Sequence, residues 1–191
     1  MQIGIFGGSF NPIHNGHLAV AQQVLKQSKL DEIWFVVSPH NPLKAHEDLL
    51  DDALRLDITR KALEHEQRLI CSDYEFRLPR PSYMLNTLQS LDNDYTNDTF
   101  TLIIGADNWE SFPRWFRYKE IIRRYPIIIY PRKDFHVDRA SLPDGVEYID
   151  MPLHDISATQ IREMLKRGED VSALVPDSIL GMMKYYKKDK K

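Results

Sequence analysis

The chain has 191 residues, enough for a single domain spanning residues 1–191 that buries about 70% of its unfolded surface without a disulfide or metal staple. Its one cysteine, Cys71, excludes a disulfide framework within the chain and a multi-cysteine zinc site, and suits a reducing, cytoplasmic setting. A formal net charge of -3 argues against a general nucleic-acid binder, and no signal peptide or roughly 20-residue apolar span is expected, so neither nucleic acid nor membrane is an expected partner.

In chain order, apolar Met1 to Phe6 predicts a central parallel strand near 2–6. Gly7 and Gly8 behind it predict a tight turn with room for a phosphate-sized group. From Gly16 on, Leu18, Ala19, Ala21, Val24 and Leu25 recur at helical spacing and predict a helix near 16–28. His14 and His17 fall at its start, where backbone N–H groups and the helix dipole favour an anion. A strand near 32–38 leads into the proline-braced Ser38-Pro39-His40-Asn41-Pro42-Leu43-Lys44, which ends in a cation. A helix near 48–66, a strand near 69–72 and a helix near 82–91 follow.

The strand near 100–105 runs into Gly105-Ala106-Asp107-Asn108-Trp109, where Asp107 suits two roles equally, binding a ribose hydroxyl or capping the next turn. Phe112, Trp115 and Phe116 lie close to Arg114 and Arg117, and one of these rings is a candidate to stack on a heteroaromatic ligand. A helix near 118–124 and a strand near 126–130 end at Pro131-Arg132-Lys133. After an exposed loop over 134–145 come a possible sixth strand near 146–149 and closing helices near 157–166 and 177–186. The last lysines, Lys184, Lys187, Lys188, Lys190 and Lys191, read as a solvated basic tail.

This alternation predicts an α/β fold, a Rossmann-like doubly wound parallel sheet of five to six strands with helices on both faces. Ligands of such a sheet bind beyond the carboxyl ends of the strands, where most of the motifs lie. Ser157 and Gln160 have the spacing of a capping box, which accounts for the serine. It does not account for Arg162, a cation in the first turns of the same helix, where the dipole asks for an anionic partner such as a triphosphate. The first loop lacks the G-x-G-x-x-G of Rossmann dehydrogenases, and no P-loop pattern occurs.

The run Gly7-Gly8-Ser9-Phe10-Asn11-Pro12-Ile13-His14-Asn15-Gly16-His17 resembles the signature of the HIGH-type nucleotidyltransferase superfamily. Together with Asn41-Pro42-Leu43-Lys44, Arg80-Pro81-Ser82-Tyr83, Gly105-Ala106-Asp107 with Trp115, and Ile156-Ser157-Ala158-Thr159-Gln160-Ile161-Arg162, it makes most of the chain resemble the bacterial nicotinate mononucleotide adenylyltransferases. The resemblance implies that ATP and nicotinate mononucleotide give the dinucleotide and pyrophosphate, with Mg2+ carried by the ATP and no metal held by the protein. It implies an ATP site at Gly7, Gly8, Ser9, Phe10, His14, His17, Gly105, Asp107, Ser157, Thr159 and Arg162. The mononucleotide would meet Asn41, Lys44, Ser82, Tyr83, Met84, Trp115 and Arg132, with Lys44 and Arg132 offered to phosphate. His17 would face developing charge at the α-phosphate, and His14 would orient the triphosphate.

Such a reaction needs no covalent nucleophile, because the mononucleotide's own 5′-phosphate attacks; positioning and charge stabilisation carry the rate. One departure from the family pattern matters. Ser82-Tyr83-Met84 replaces the usual S-Y-T, and Asn86 stands where aspartate is common, so acid-versus-amide preference turns on whether a backbone N–H or a hydroxyl reads the pyridine substituent. The other readings are a sister transferase for nicotinamide mononucleotide, phosphopantetheine or a flavin, and a non-catalytic nucleotide sensor. The oligomeric state is open.

Overall fold

The computed structural model describes residues 1–39 and 49–186. Asn41 and Lys44, and the tail lysines from Lys187 on, lie outside the described residues. One sheet organises the chain: β1 (Gln2–Gly8), β2 (Glu32–Val37), β3 (Leu69–Ser72), β4 (Thr99–Gly105), β5 (Ile127–Tyr130) and β6 (Val146–Tyr148). All pairings are parallel and the spatial order is 3-2-1-4-5-6. Chain direction of travel across the sheet reverses between β1 and β4, which opens a crevice at their carboxyl ends.

The strands read as unbroken apolar runs because both faces are covered. Along β5, Ile127 and Ile129 belong to one buried cluster, and Ile128 and Tyr130 to the other. That period of two sends alternate side chains to opposite layers. One layer holds α1 (Asn15–Gln27), α2 (Asp52–Ala62), α6 (Ala158–Lys166) and a terminal 3₁₀ segment, Asp177–Tyr186, through Val20, Val24, Ile58, Ile161, Leu165 and Ile179. The other holds α3 (Met84–Asp94) and α5 (Tyr118–Arg124), through Leu85, Leu88, Leu91 and Ile121. The short α4 (Ala106–Ser111) begins directly at the end of β4. Among the described residues no helix is long and apolar enough to cross a membrane.

Several boundaries differ from the sequence reading, each for a local reason. Gly7 and Gly8 do not turn: they stay in β1, paired with Val36 and Val37. The turn comes at Phe10, whose φ of 42° lies in the left-handed region. α2 starts at Asp52 rather than 48, because the Asp51 carboxylate accepts from the N–H groups of Ala53 and Leu54 and caps the helix there. It stops at Ala62, after which residues 63–66 form a turn. α4 falls where the sequence reading has only a loop.

Candidate functional site

A cleft of about 790 Å³ opens at the carboxyl ends of β1, β2 and β4, within the usual range of small-molecule sites, about 300–1,000 Å³. Gly7, Gly8 and Ser9 line it from β1, Ser82, Tyr83 and Met84 from the start of α3, and Gly105, Asp107 and Trp115 from the region after β4. Beside it lies a narrow slot, about 10 Å³, lined by His14, Gly16, His17, Tyr130, Arg132 and His154. Phe6 and Tyr130 border both spaces.

The histidine pair is built by the start of α1. His14 is the N-cap residue, extended at φ -149°, and its side chain is buried. Gly16 makes room for it, since a Cβ there would lie 3.0 Å from His14 Nδ1. The backbone N–H of His14 donates to His17 Nδ1 at 3.2 Å, so a neutral His17 carries its proton on Nε2. The two rings stack with centroids 3.7 Å apart. Burial, helped by the positive charge of Arg132, pulls the His14 pKa down to about 3. His14 is therefore neutral at physiological pH, and it leaves Nδ1 buried with no hydrogen-bond partner.

Arg132 reaches from the end of β5 to the same place. Its Nε faces Asp107 Oδ1 at 3.6 Å, an ion pair too long to be a hydrogen bond, and both atoms are buried without a hydrogen-bond partner. Asp107 does not cap α4; the N-cap residue is Gly105 and no side chain caps that helix. On α6, Ser157 Oγ accepts from the Gln160 N–H at 3.1 Å, as a helix cap should. Arg162 uses one Nη to hold the Asn11 carbonyl at 2.9 Å and the other to reach Thr159 Oγ1 at 3.2 Å. Its partners in the protein are thus neutral, and its cation is bound to the signature loop itself.

At the other end of the cleft, Tyr83 is the N-cap residue of α3 and no side chain caps the helix, which leaves the first N–H groups, Met84 among them, without a side-chain acceptor. Tyr83 packs on Phe116 with centroids 4.7 Å apart. Trp115 is half-buried and leans on the buried Phe112 at 5.0 Å, so it belongs partly to the core rather than standing wholly outside it.

Among the described residues, the buried side-chain polar atoms with no hydrogen-bond partner belong to His14, Ser82, Asp107, Trp115, Arg132, Arg162 and Tyr186. All but Tyr186 are candidate positions named from the sequence. Ser82, Asp107 and Trp115 line the cleft and His14 and Arg132 the adjoining slot, whereas Arg162 and Tyr186 line neither. Native proteins satisfy most buried polar groups, so the five that line these two spaces are open to a polar ligand.

Three residues escaped the sequence reading. Glu75 lines the cleft, nearly fully buried, with Ser38 Oγ donating at 2.7 Å and Thr87 Oγ1 at 2.9 Å; burial pushes its carboxyl pKa up. Arg55 is fully buried behind the first loop. His154 joins the slot as a third imidazole. Each lies in a stretch with other charged or polar residues, and no pattern there distinguishes it from a solvated one.

A family model described as cytidylyltransferase-like matches residues 5–164. A Bacteroides fragilis protein named a probable nicotinate-nucleotide adenylyltransferase is 49% identical over 168 residues, covering 88% of this chain and 84% of its own. A Flavobacterium johnsoniae protein of the same name is 40% identical over 181 residues, covering 94% of each chain. In fold, the chain is similar to the solved Plasmodium falciparum nicotinic acid mononucleotide adenylyltransferase complexed with NaAD, with a TM-score of 0.80 at 20% identity over 98% of both chains.

Proposed function

As the chain belongs to the cytidylyltransferase-like family, and within it to the nicotinate-nucleotide adenylyltransferases, we propose that it transfers the adenylyl group of ATP to nicotinate mononucleotide. An oxygen of the mononucleotide's 5′-phosphate attacks the α-phosphorus. A new P–O bond forms, the bond to the bridging oxygen breaks, and pyrophosphate leaves with the electron pair. The observation that carries the reading is that His14, Ser82, Asp107, Trp115 and Arg132, which line the cleft and slot, each keep a buried polar atom without a hydrogen-bond partner.

The roles follow from the geometry. His17, with its proton on Nε2, suits donation to charge developing at the α-phosphate. Neutral His14 and the backbone N–H groups of the first loop suit the triphosphate; Arg132, read from sequence as a mononucleotide contact, lines the slot with His14 and His17 and suits the triphosphate too. Asp107 is placed for a ribose hydroxyl. No covalent nucleophile is needed, and the Cys71 thiol, its pKa pushed up to about 12 by burial, is no candidate for one. Among the described residues no group of three His, Cys, Asp or Glu side chains could hold a metal ion. In this reading Mg2+ comes with the ATP, on its phosphate oxygens and water, where it would neutralise triphosphate charge. A cytosolic setting belongs to the same reading, supported by the single unpaired cysteine.

The pyridine carboxylate is read at the start of α3. An uncapped helix N-terminus, the Met84 N–H and the buried, unpartnered Ser82 Oγ offer donors there, and charge-assisted hydrogen bonds favour an acid over an amide. Glu75 lies in the same cleft, where burial pushes its carboxyl pKa up while the hydroxyls of Ser38 and Thr87 donate to it. Mixing the protein with ATP, Mg2+ and nicotinate mononucleotide and separating the products tests the proposal. Nicotinate adenine dinucleotide and pyrophosphate in equal amounts are expected; ATP hydrolysis without dinucleotide would overturn it.

A further inference from the structure

We infer that Arg55 is a positioning residue for the ATP half of the site, a clamp that fixes the Ser9–Phe10 peptide so that its N–H faces the phosphates; this rests on the reading above. Arg55 sits in the first turn of α2 with its side chain fully buried. A buried guanidinium is tolerated only if its donors are paired. Here all five N–H groups have acceptors. Nε donates to the Leu50 carbonyl at 3.1 Å, and Nη1 to those of Ser9 at 2.5 Å and Ser38 at 3.0 Å. Nη2 donates to the Pro39 carbonyl at 3.3 Å and to Asp52 Oδ1 at 2.6 Å. One cation thus ties the end of β1 to the end of β2.

What this does for the loop follows from peptide geometry. The Ser9–Phe10 peptide is planar and trans, so its C=O and N–H point in opposite directions. Drawing the Ser9 carbonyl toward α2 turns the Phe10 N–H away from α2. In the same way the Ser38 N–H holds the Gly8 carbonyl at 2.8 Å, which turns the Ser9 N–H away from β2. Neither the Ser9 nor the Phe10 N–H donates to another described group. Between them Phe10 is held at φ 42°, a left-handed conformation that a bulky side chain keeps only when its surroundings impose it. Arg55 holds the peptide that precedes Phe10 through the Ser9 carbonyl, and Arg162 holds the loop one residue further on through the Asn11 carbonyl. The mononucleotide end depends less on Arg55: the guanidinium reaches it only through the Ser38 carbonyl, and Glu75 there is also held by Thr87 Oγ1.

The clamp therefore predicts a larger effect on ATP than on the mononucleotide. In Arg55→Lys, an ammonium has three donors where five are needed and lacks the planar fork, so the Ser9 and Ser38 carbonyls are no longer held together by one Nη. Calorimetric binding of a non-hydrolysable ATP analogue and of nicotinate mononucleotide, each alone, is the test, with melting temperature recorded alongside. The analogue is expected to bind at least tenfold more weakly and the mononucleotide to change less than threefold. A lowered melting temperature with both affinities unchanged would show a merely structural arginine and overturn the inference. If Arg55→Lys does not fold, Asp52→Asn takes its place, because that carboxylate is partly exposed and grips Arg55 through Nη2; its other oxygen holds Arg80 at 3.1 Å, so Arg80→Ala, which breaks only that second pair, is the control. A two- to fivefold weakening confined to the analogue is expected, and an unchanged analogue affinity overturns the clamp. Turnover by the parent protein tests the adenylyltransferase reading separately, so the two can fail independently.

Discussion

Acidification should expose the cost of keeping His14 neutral. An unfolded chain takes up a proton on this imidazole near pH 6.5, whereas the folded protein refuses it until about pH 3, first because of burial and second because of Arg132. The folded-state pKa is depressed, so the unfolded state binds more protons between these values and stability falls as the pH drops through that window. Each pH unit below 6.5 costs about 1.4 kcal/mol, so by pH 5 the His14 share is about 2 kcal/mol. The comparison is His14→Asn, since asparagine is a good N-cap residue and carries no titrating ring. Urea unfolding of both proteins at pH 7 and pH 5 isolates the contribution, because every other titrating group, Glu75 included, is common to the pair. The parent should lose about 2 kcal/mol more than the variant over this interval. Parallel losses would refute the buried, neutral His14.

Three substitutions probe the site more directly. His17→Ala should lower kcat by about two to three powers of ten with the fold intact, the usual effect of losing one donor to transition-state charge; an unchanged kcat contradicts the role given to it. Trp115→Ala should weaken the mononucleotide by about 1–3 kcal/mol, as for other base–aromatic contacts, and should also lower the melting temperature because the ring leans on Phe112. Equal weakening of ATP would place Trp115 in the core alone. Met84→Thr should change the preference for acid over amide by less than about tenfold, roughly 1.4 kcal/mol, because the backbone N–H it offers is unaltered; a larger change would put selectivity in a side-chain hydroxyl.

The sheet was legible because each strand is an apolar run bounded by turn residues, and the signature histidines because their spacing is tied to a strand and a helix start. Local chemistry moved the details. Gly7 and Gly8 looked like the turn, yet their pairing with β2 keeps them extended and passes the turn to Phe10. Arg162 asked for an anion on dipole grounds, and the fold supplies the Asn11 carbonyl as well. Arg55 and Glu75 were illegible for a different reason. Their decisive partners, Ser9 and Ser38, lie 46 and 37 residues away, so only tertiary packing shows that these charges are buried. His154 meets the paired histidines only because the segment after β6 returns to the start of α1.

The central claim is adenylyl transfer to a pyridine mononucleotide whose carboxylate is read by backbone and hydroxyl donors at the start of α3. A side-by-side measurement of kcat/KM for nicotinate and nicotinamide mononucleotides at saturating Mg-ATP, following pyrophosphate release, tests it most directly. Faster turnover per KM with the nicotinate form is the predicted result; preference for the amide, or pyrophosphate release only with phosphopantetheine or a flavin mononucleotide, would contradict the account.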